Sequence, residues 1–250
     1  MKMTVKVIRK IIQIFFIIVL LLPIWYVDLF WYGTYISADL LGVALTDPLT
    51  ALEITLAGRS LLMPLMVSAL PLTVAAVLGG RLFCSFVCPL NFLLELIPVK
   101  KKKPLQEKKY PLAALGITLI LSLVTALPVF NTVSPVFALM RMLLFGVGLE
   151  MVLLLFVVGA AFLWGQKIWC RTLCPLGALY GVLGSRRLLA VQVDASKCTH
   201  CGKCAVVCSM GTAPERGKWE DSMLCTNCGD CIDVCQEGAI GYTLKGKTKK

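Results

Sequence analysis

Charge is scarce in this sequence, and acidic charge is the scarcer sign. Only 16% of its 250 residues are Asp, Glu, Lys or Arg, with 14 acids against 25 bases. At 58% hydrophobic residues and a mean hydropathy of +0.83, the chain is too apolar for an ordinary soluble protein and reads as membrane class. Histidine occurs once, at position 200, which excludes an imidazole-built metal centre. No small-residue cleavage site follows the apolar run at 11–27; Asp28-Leu-Phe-Trp-Tyr does. That argues against a secretory leader and for an uncleaved anchor.

The net charge of +11 suggests nucleic acid until its distribution is examined. All bases except Arg59 and Arg141 fall in three segments: 1–10, 81–110, and 165 onward. Alternate basic segments between apolar runs are the positive-inside pattern, so nucleic-acid binding has no place. Runs at 11–27, 60–80, 111–130 and 147–164 are long enough to be expected spans. The expected fold is therefore a membrane α-helical part with four transmembrane helices, followed by a polar C-terminal part. The expected domains are 1–190 in the membrane, 191–244 outside it, and a basic tail at 245–250. Trp25, Tyr26, Trp31, Tyr32 and Tyr35 are the expected interfacial aromatic belt. The lysines at 100–103 are expected at anionic lipid.

Cysteine is what the sequence has in plenty. Cys198, Cys201, Cys204 and Cys208 form a C-x2-C-x2-C-x3-C run, and Cys225, Cys228, Cys231 and Cys235 repeat it. Two such runs are the thiolate signature of an α+β two-cluster ferredoxin domain with two [4Fe-4S] clusters. In that arrangement the fourth Cys of each run ligates the other cluster. One cluster then takes Cys198, Cys201, Cys204 and Cys235; the other takes Cys225, Cys228, Cys231 and Cys208. Ser209 and Gln236 stand where a proline usually follows the fourth Cys. With the thiols complete, His200 reads as a solvated loop residue.

An internal repeat organises the first 190 residues. Pro48-x-x-Ala51-Leu52 returns as Pro135-x-x-Ala138-Leu139, and Cys84-x3-Cys88-Pro89-Leu90 returns as Cys170-x3-Cys174-Pro175-Leu176. Helix starts are expected at Asp47-Pro48 and Ser134-Pro135, and a break or restart at Pro89 and Pro175. Cys84 and Cys88 would share one helix face, as would Cys170 and Cys174. If the two units pack about a pseudo-two-fold, four thiols converge. They could hold a third iron-sulfur cluster or another metal, cycle as redox-active thiols, or be inert packing. With an inner N-terminus, both motifs and the ferredoxin domain are expected on the cytoplasmic side. Glu150, early in the fourth run, is a candidate proton acceptor, or equally the partner of Arg59 or Arg141 in an ion pair.

These residues carry a family likeness along nearly the whole chain. Thr46-Asp47-Pro48-Leu49, Gly80-Arg81-Leu-Phe-Cys84-x3-Cys88-Pro89, Trp169-Cys170-x3-Cys174-Pro175-Leu176-Gly177 and the run from Cys225 to Cys235 together resemble the NapH family. They also place the chain in the wider group with NosR and CcoG. The resemblance implies a quinol dehydrogenase subunit of a bacterial or archaeal inner membrane. Such a protein would take electrons from the quinone pool and pass them through its clusters to a multi-cluster ferredoxin, cytochrome or reductase partner. The alternative is a CcoG-like assembly or maturation factor that reduces a metal or thiol on a client enzyme. NosR-like relatives add an outer flavin-binding domain, for which this chain has no room.

Overall fold

In the computed structural model, the described residues are 4–21, 31–33, 37–40, 43–97, 109–146, 148–212, 214 and 223–244. Trp25, Tyr26, Tyr35, the lysines at 100–103 and the tail at 245–250 lie outside them.

Helix α1 (Val5–Leu21) is inside out. Arg9 and Gln13, one turn apart, are buried, whereas Ile11, Phe15 and Ile18 are exposed. Three short antiparallel strands follow, β1 (Trp31–Gly33), β2 (Ser37–Leu40) and β3 (Val43–Thr46), in that order. Their register pairs Trp31 with Leu40 and Ser37 with Thr46. The chain then enters α2 (Pro48–Gly58). Asp47 caps it by accepting from the Thr50 amide at 3.2 Å, and Pro48 supplies the preset φ of a first helical residue.

The repeat is built from four matched helix pairs. The first unit runs through α2, α3 (Met63–Gly79), α4 (Leu82–Phe86) and α5 (Pro89–Leu96). Between the units lie α6 (Tyr110–Thr125) and α7 (Val129–Val133). The second unit runs through α8 (Pro135–Phe145), α9 (Glu150–Trp164), α10 (Ile168–Thr172) and α11 (Pro175–Leu183). Each helix start of the second unit lies 86 or 87 positions beyond its counterpart. Prolines open α2, α5, α8 and α11, as expected from the sequence.

The expectation of four transmembrane helices is corrected here. Among the described residues, no helix is long and apolar enough to cross a membrane. The helices in the four apolar runs have 17, 17, 16 and 15 residues. At 1.5 Å per residue these reach about 22–26 Å, short of a hydrocarbon core of about 30 Å. Local backbone geometry stops them. Gly80 ends α3 at φ 68°, Ala126 ends α6 in the left-handed region at φ 54°, and Gly165 ends α9 at φ 125°. Separate short helices follow each stop, α4 after Gly80, α7 after Ala126 and α10 after Gly165.

A buried cluster of Leu90, Leu94, Ala138, Leu139, Leu154, Val157 and Ala161 joins α5, α8 and α9. Cys88, Trp169 and Cys170 pack against it, so the core fixes one thiol of each motif.

The C-terminal part is framed by an antiparallel pair, β4 (Leu189–Val193) and β5 (Ile240–Leu244), with Leu189 opposite Leu244. Within it stand two short helices that pack on each other, α12 (Lys203–Val207) and α13 (Asp230–Val234). This part is bolted to the helical part by polar contacts. The buried Asn227 amide donates to the carbonyls of Gly79 at 3.1 Å and Leu189 at 3.0 Å. Ser85 Oγ donates to the Thr226 carbonyl at 2.8 Å. The Asp233 carboxylate accepts the amides of Val5 and Lys6, both at 2.9 Å, and so caps α1. Gly181 allows a close approach: a Cβ there would meet the Met223 carbonyl at 2.6 Å.

Candidate functional site

Cys84, Cys88, Cys170 and Cys174 line one enclosed cavity of about 50 Å³. The two motifs reach it in the same way. Cys84 and Cys170 sit on α4 and α10, and Cys88 and Cys174 are the residues that precede Pro89 and Pro175. Each pair is therefore split by a helix break, and does not lie along one helix face as the spacing suggested. The break makes the second Cys of each pair the residue at the N-cap of the next helix. Cys174 Sγ accepts from the Gly177 amide at 3.4 Å.

Burial pushes the Cys84 thiol well above its usual value; Arg81 draws it back, and Cys88, Cys174 and Cys170 push it further. Burial likewise raises Cys88, to about 11, against hydrogen bonding from the Asn91 amide. Cys170 and Cys174 are raised too, burial first. Four uncharged thiols in a dry cavity are what desolvation favours until something replaces their protons.

Two cations border that cavity. Arg81 is 1% exposed, and its Nη1 reaches the Cys170 carbonyl only at 3.5 Å. Its Nε and Nη2 are buried with no hydrogen-bond partner among the described residues. A buried guanidinium with two orphaned donors beside four thiols suits an anionic centre at that place. Lys167, also buried, donates to Glu95 at 2.9 Å. Burial alone would lower the Lys167 pKa, but Glu95 overcomes this and holds it raised.

Glu95 is a hub. It bonds Lys167 on one side and Arg9 Nη2, at 3.0 Å, on the other. Arg9 continues to Asp230 at 3.0 Å and to the Cys228 carbonyl at 2.8 Å. A buried chain of charges thus runs from the four-thiol cavity to the second ferredoxin-type loop. Ser85, next to Cys84, reaches the same loop through Thr226, and Thr226 and Met210 themselves line the cavity.

In the C-terminal part, burial raises the Cys231 thiol, and Cys228, Cys225 and Cys208 raise it further. Cys208 of the first run is therefore within electrostatic reach of Cys231 in the second. Cys201 is exposed and Cys204 buried. Cys198 and Cys235 are intermediate. His200 is exposed at φ 53°. Gln236, at one usual proline position, accepts from Lys203 at 2.8 Å. Among the described residues, no group of three or more His, Cys, Asp or Glu side chains is arranged to hold a metal ion. Thiols set around a cavity suit a four-iron core, which is ligated at separated corners, better than a single ion.

Glu150 lies 3.4 Å from Arg141, with both side chains part-exposed, and does not line the thiol cavity. Two buried carboxylates stand nearer. Asp47 lines the cavity and accepts from Tyr180 Oη at 2.8 Å. Burial pushes Asp47 up to about 6, against the hydrogen bonds from Tyr180 and Thr50. Glu53 is 0% exposed and accepts from the Phe130 amide at 3.0 Å and Ser122 Oγ at 3.2 Å. Its Oε2 has no partner among the described residues. The role of Arg81 escaped the sequence reading although Gly80-Arg81 belongs to the motif. Tyr180 carried no signal beyond its place soon after Cys174.

A family model described as a 4Fe-4S binding domain matches twice, at residues 61–106 and 147–191, one match for each C-x3-C-P motif. A second model with the same description matches 190–212, which holds the first ferredoxin run. The chain is 33% identical over 186 residues to the methylamine utilization ferredoxin-type protein MauN of Paracoccus denitrificans, covering 70% of this chain. It spans 65% of that protein, just under two thirds of its length. It is 33% identical to the ferredoxin-type protein NapH of Escherichia coli, over 81% of this chain and 74% of that protein. The corresponding protein of Haemophilus influenzae is 33% identical over 76% of this chain and 71% of its own length. No solved structure matches the chain.

Proposed function

The chain belongs to the NapH and MauN family of ferredoxin-type 4Fe-4S electron-transfer proteins, and on that premise we propose that it oxidises a quinol and passes the electrons to a reductase partner. Three centres serve the relay in this reading. Cys198, Cys201, Cys204 and Cys235 hold one cluster; Cys225, Cys228, Cys231 and Cys208 hold a second. The position of Cys208 near Cys231 supports that crossed assignment. Cys84, Cys88, Cys170 and Cys174 hold a third, supported by the duplicated 4Fe-4S model match and the orphaned donors of Arg81. Bound iron-sulfur clusters supply one-electron donor and acceptor chemistry.

The protein's own groups prepare the site for that chemistry. Arg81 and Lys167 offset the negative charge that four thiolates bring into a dry cavity. The Leu90–Val157 core fixes Cys88 and Cys170 in place. The observation that carries the reading is the shared wall: Met210 and Thr226, from the two ferredoxin-type loops, line the same cavity as the four C-x3-C-P thiols. Electrons entering on the helical side need no long gap to reach the C-terminal part. Exposed apolar side chains on α1, α3, α6 and α9, among them Phe15, Val67, Val124 and Leu155, give a lipid-soluble donor a surface to approach. Two C-x2-C-x2-C-x3-C runs, read as cluster ligands and not as disulfides, fit the cytoplasmic compartment.

The test is reduction of the iron-loaded protein by menaquinol or ubiquinol, followed by electron paramagnetic resonance. Cluster signals should appear with quinol as they do with dithionite. Signals with dithionite but none with any quinol would overturn the proposal. Changing Cys84 and Cys170 to Ser should lower bound iron from about twelve to about eight atoms per chain. An unchanged iron count would remove the third centre.

A further inference from the structure

An apolar groove of about 390 Å³ opens beside the thiol cavity, lined by Leu72, Ala75, Leu82, Phe83, Phe86 and Tyr180, among others. Its size falls in the range of small-molecule sites, which are mostly apolar with a few placed polar groups. Here the polar group is the phenol of Tyr180, whose ring packs edge-on to Phe83 with centroids 5.8 Å apart. Phe83 lines both the groove and the thiol cavity, and its neighbour in sequence is Cys84. Tyr180 Oη donates to Asp47, which stands in the wall of the thiol cavity. One aromatic pair therefore separates the groove from the four thiols, and one hydrogen bond leads through it.

We propose that this groove seats the ring of a lipid-soluble hydroquinone, with a ring hydroxyl donating to Tyr180 Oη. The proposal rests on the quinol-oxidising reading above and gives it a location. A phenol that donates one hydrogen bond can still accept another, so Tyr180 joins the ligand to Asp47 without giving up its present bond. The apolar walls suit the ring and the start of an isoprenoid tail, and the groove is open enough for the tail to leave it. Oxidation breaks the two O–H bonds of the hydroquinone and leaves the quinone. Two electrons depart, one at a time, past Phe83 toward the iron-sulfur centres. The proton of the hydroxyl at Tyr180 passes through the Tyr180 hydroxyl to the Asp47 carboxylate, and the proton of the hydroxyl across the ring leaves to water at the open side of the groove.

Ala75 is exposed on α3 at the groove, so Ala75→Trp fills the groove without disturbing the core. That variant should raise the KM for a short-tailed quinol at least about tenfold, with dithionite-reduced signals unchanged. Tyr180→Phe keeps the ring and should lower the rate at saturating quinol by about tenfold or more. A direct readout needs no turnover: an azido-quinone photolabel on the full iron-loaded chain should mark residues 72–87 in the wild type and not in Ala75→Trp. Labelling elsewhere, or a wild-type KM in Ala75→Trp, overturns the groove. A wild type that labels in the groove but is never reduced by quinol upholds the groove and overturns the quinol-oxidation reading instead.

Discussion

The hydroxyl of Ser85 donates to the carbonyl of Thr226 across 2.8 Å, joining the residue after Cys84 to the residue after Cys225. Both residues are buried. Ser85→Ala leaves that carbonyl without its donor and should cost about 1–3 kcal/mol. Denaturant unfolding of the iron-loaded protein checks it, and Ser85→Thr should recover most of the loss.

Arg81 governs the potential of a centre at the four thiols. A buried positive charge favours the reduced, more negative form. Arg81→Met should therefore make the potential more negative, by on the order of 60 mV for each tenfold shift in a one-electron equilibrium. Arg81→Lys keeps the charge and should shift it less. Spectroelectrochemical titration separates the two.

Glu95 binds two buried cations, so Glu95→Gln strands Lys167 and leaves Arg9 with Asp230 as its one carboxylate among the described residues. The expected loss is about 3–5 kcal/mol. Burial alone would raise the Glu95 pKa, but Lys167 and then Arg9 overcome this and hold it below the usual carboxylate range. A depressed folded pKa gives stability that is present above the unfolded value and lost as pH falls through the folded one. The wild type should keep its advantage over Glu95→Gln at neutral pH and lose it in acid below about pH 4. Thermal melts across that range test the sign.

Asp47 has the opposite linkage. Its folded pKa is raised to about 6, burial being the main cause. Its contribution is fully present below the unfolded value of about 3.9 and is lost as pH rises through the folded one. Asn at this position still caps a helix. Relative to Asp47→Asn, the wild type should lose on the order of 2–3 kcal/mol between about pH 4 and 7. A stability difference that stays flat over that window would refute the shift.

The sequence revealed the pieces that local chemistry encodes. Pro48, Pro89, Pro135 and Pro175 each open a helix, because a fixed φ and a missing N–H act on their own few residues. The duplication of C-x3-C-P was enough to suggest that four thiols meet, and they do line one cavity. Helix length was not legible. Hydropathy runs straight through Ala126, whereas the backbone turns there; at Gly80 and Gly165 the apolar runs and the helices end together, but the helices begin at Met63 and Glu150, inside the runs. The charge chain was also hidden, since Glu95 meets Lys167 from 72 positions away and Arg9 from 86. Counting bases by segment put Arg9 and Lys167 in the positive-inside pattern and carried no sign that both are buried. Pairing over such distances depends on the final packing and leaves no periodic trace.

The Asp233 carboxylate that caps α1 has a consequence for how the protein is made. Val5 and Lys6 cannot meet their acceptor until 233 residues have left the ribosome. At about 5–20 residues per second, the first helix waits for on the order of tens of seconds. During that interval its buried face, with Arg9 and Gln13, lacks the second ferredoxin-type loop, although α5 with Glu95 has already been made. Iron delivered early would meet open thiols on an unfinished scaffold. The contact between positions 5 and 233 is therefore among the last that the growing chain can make.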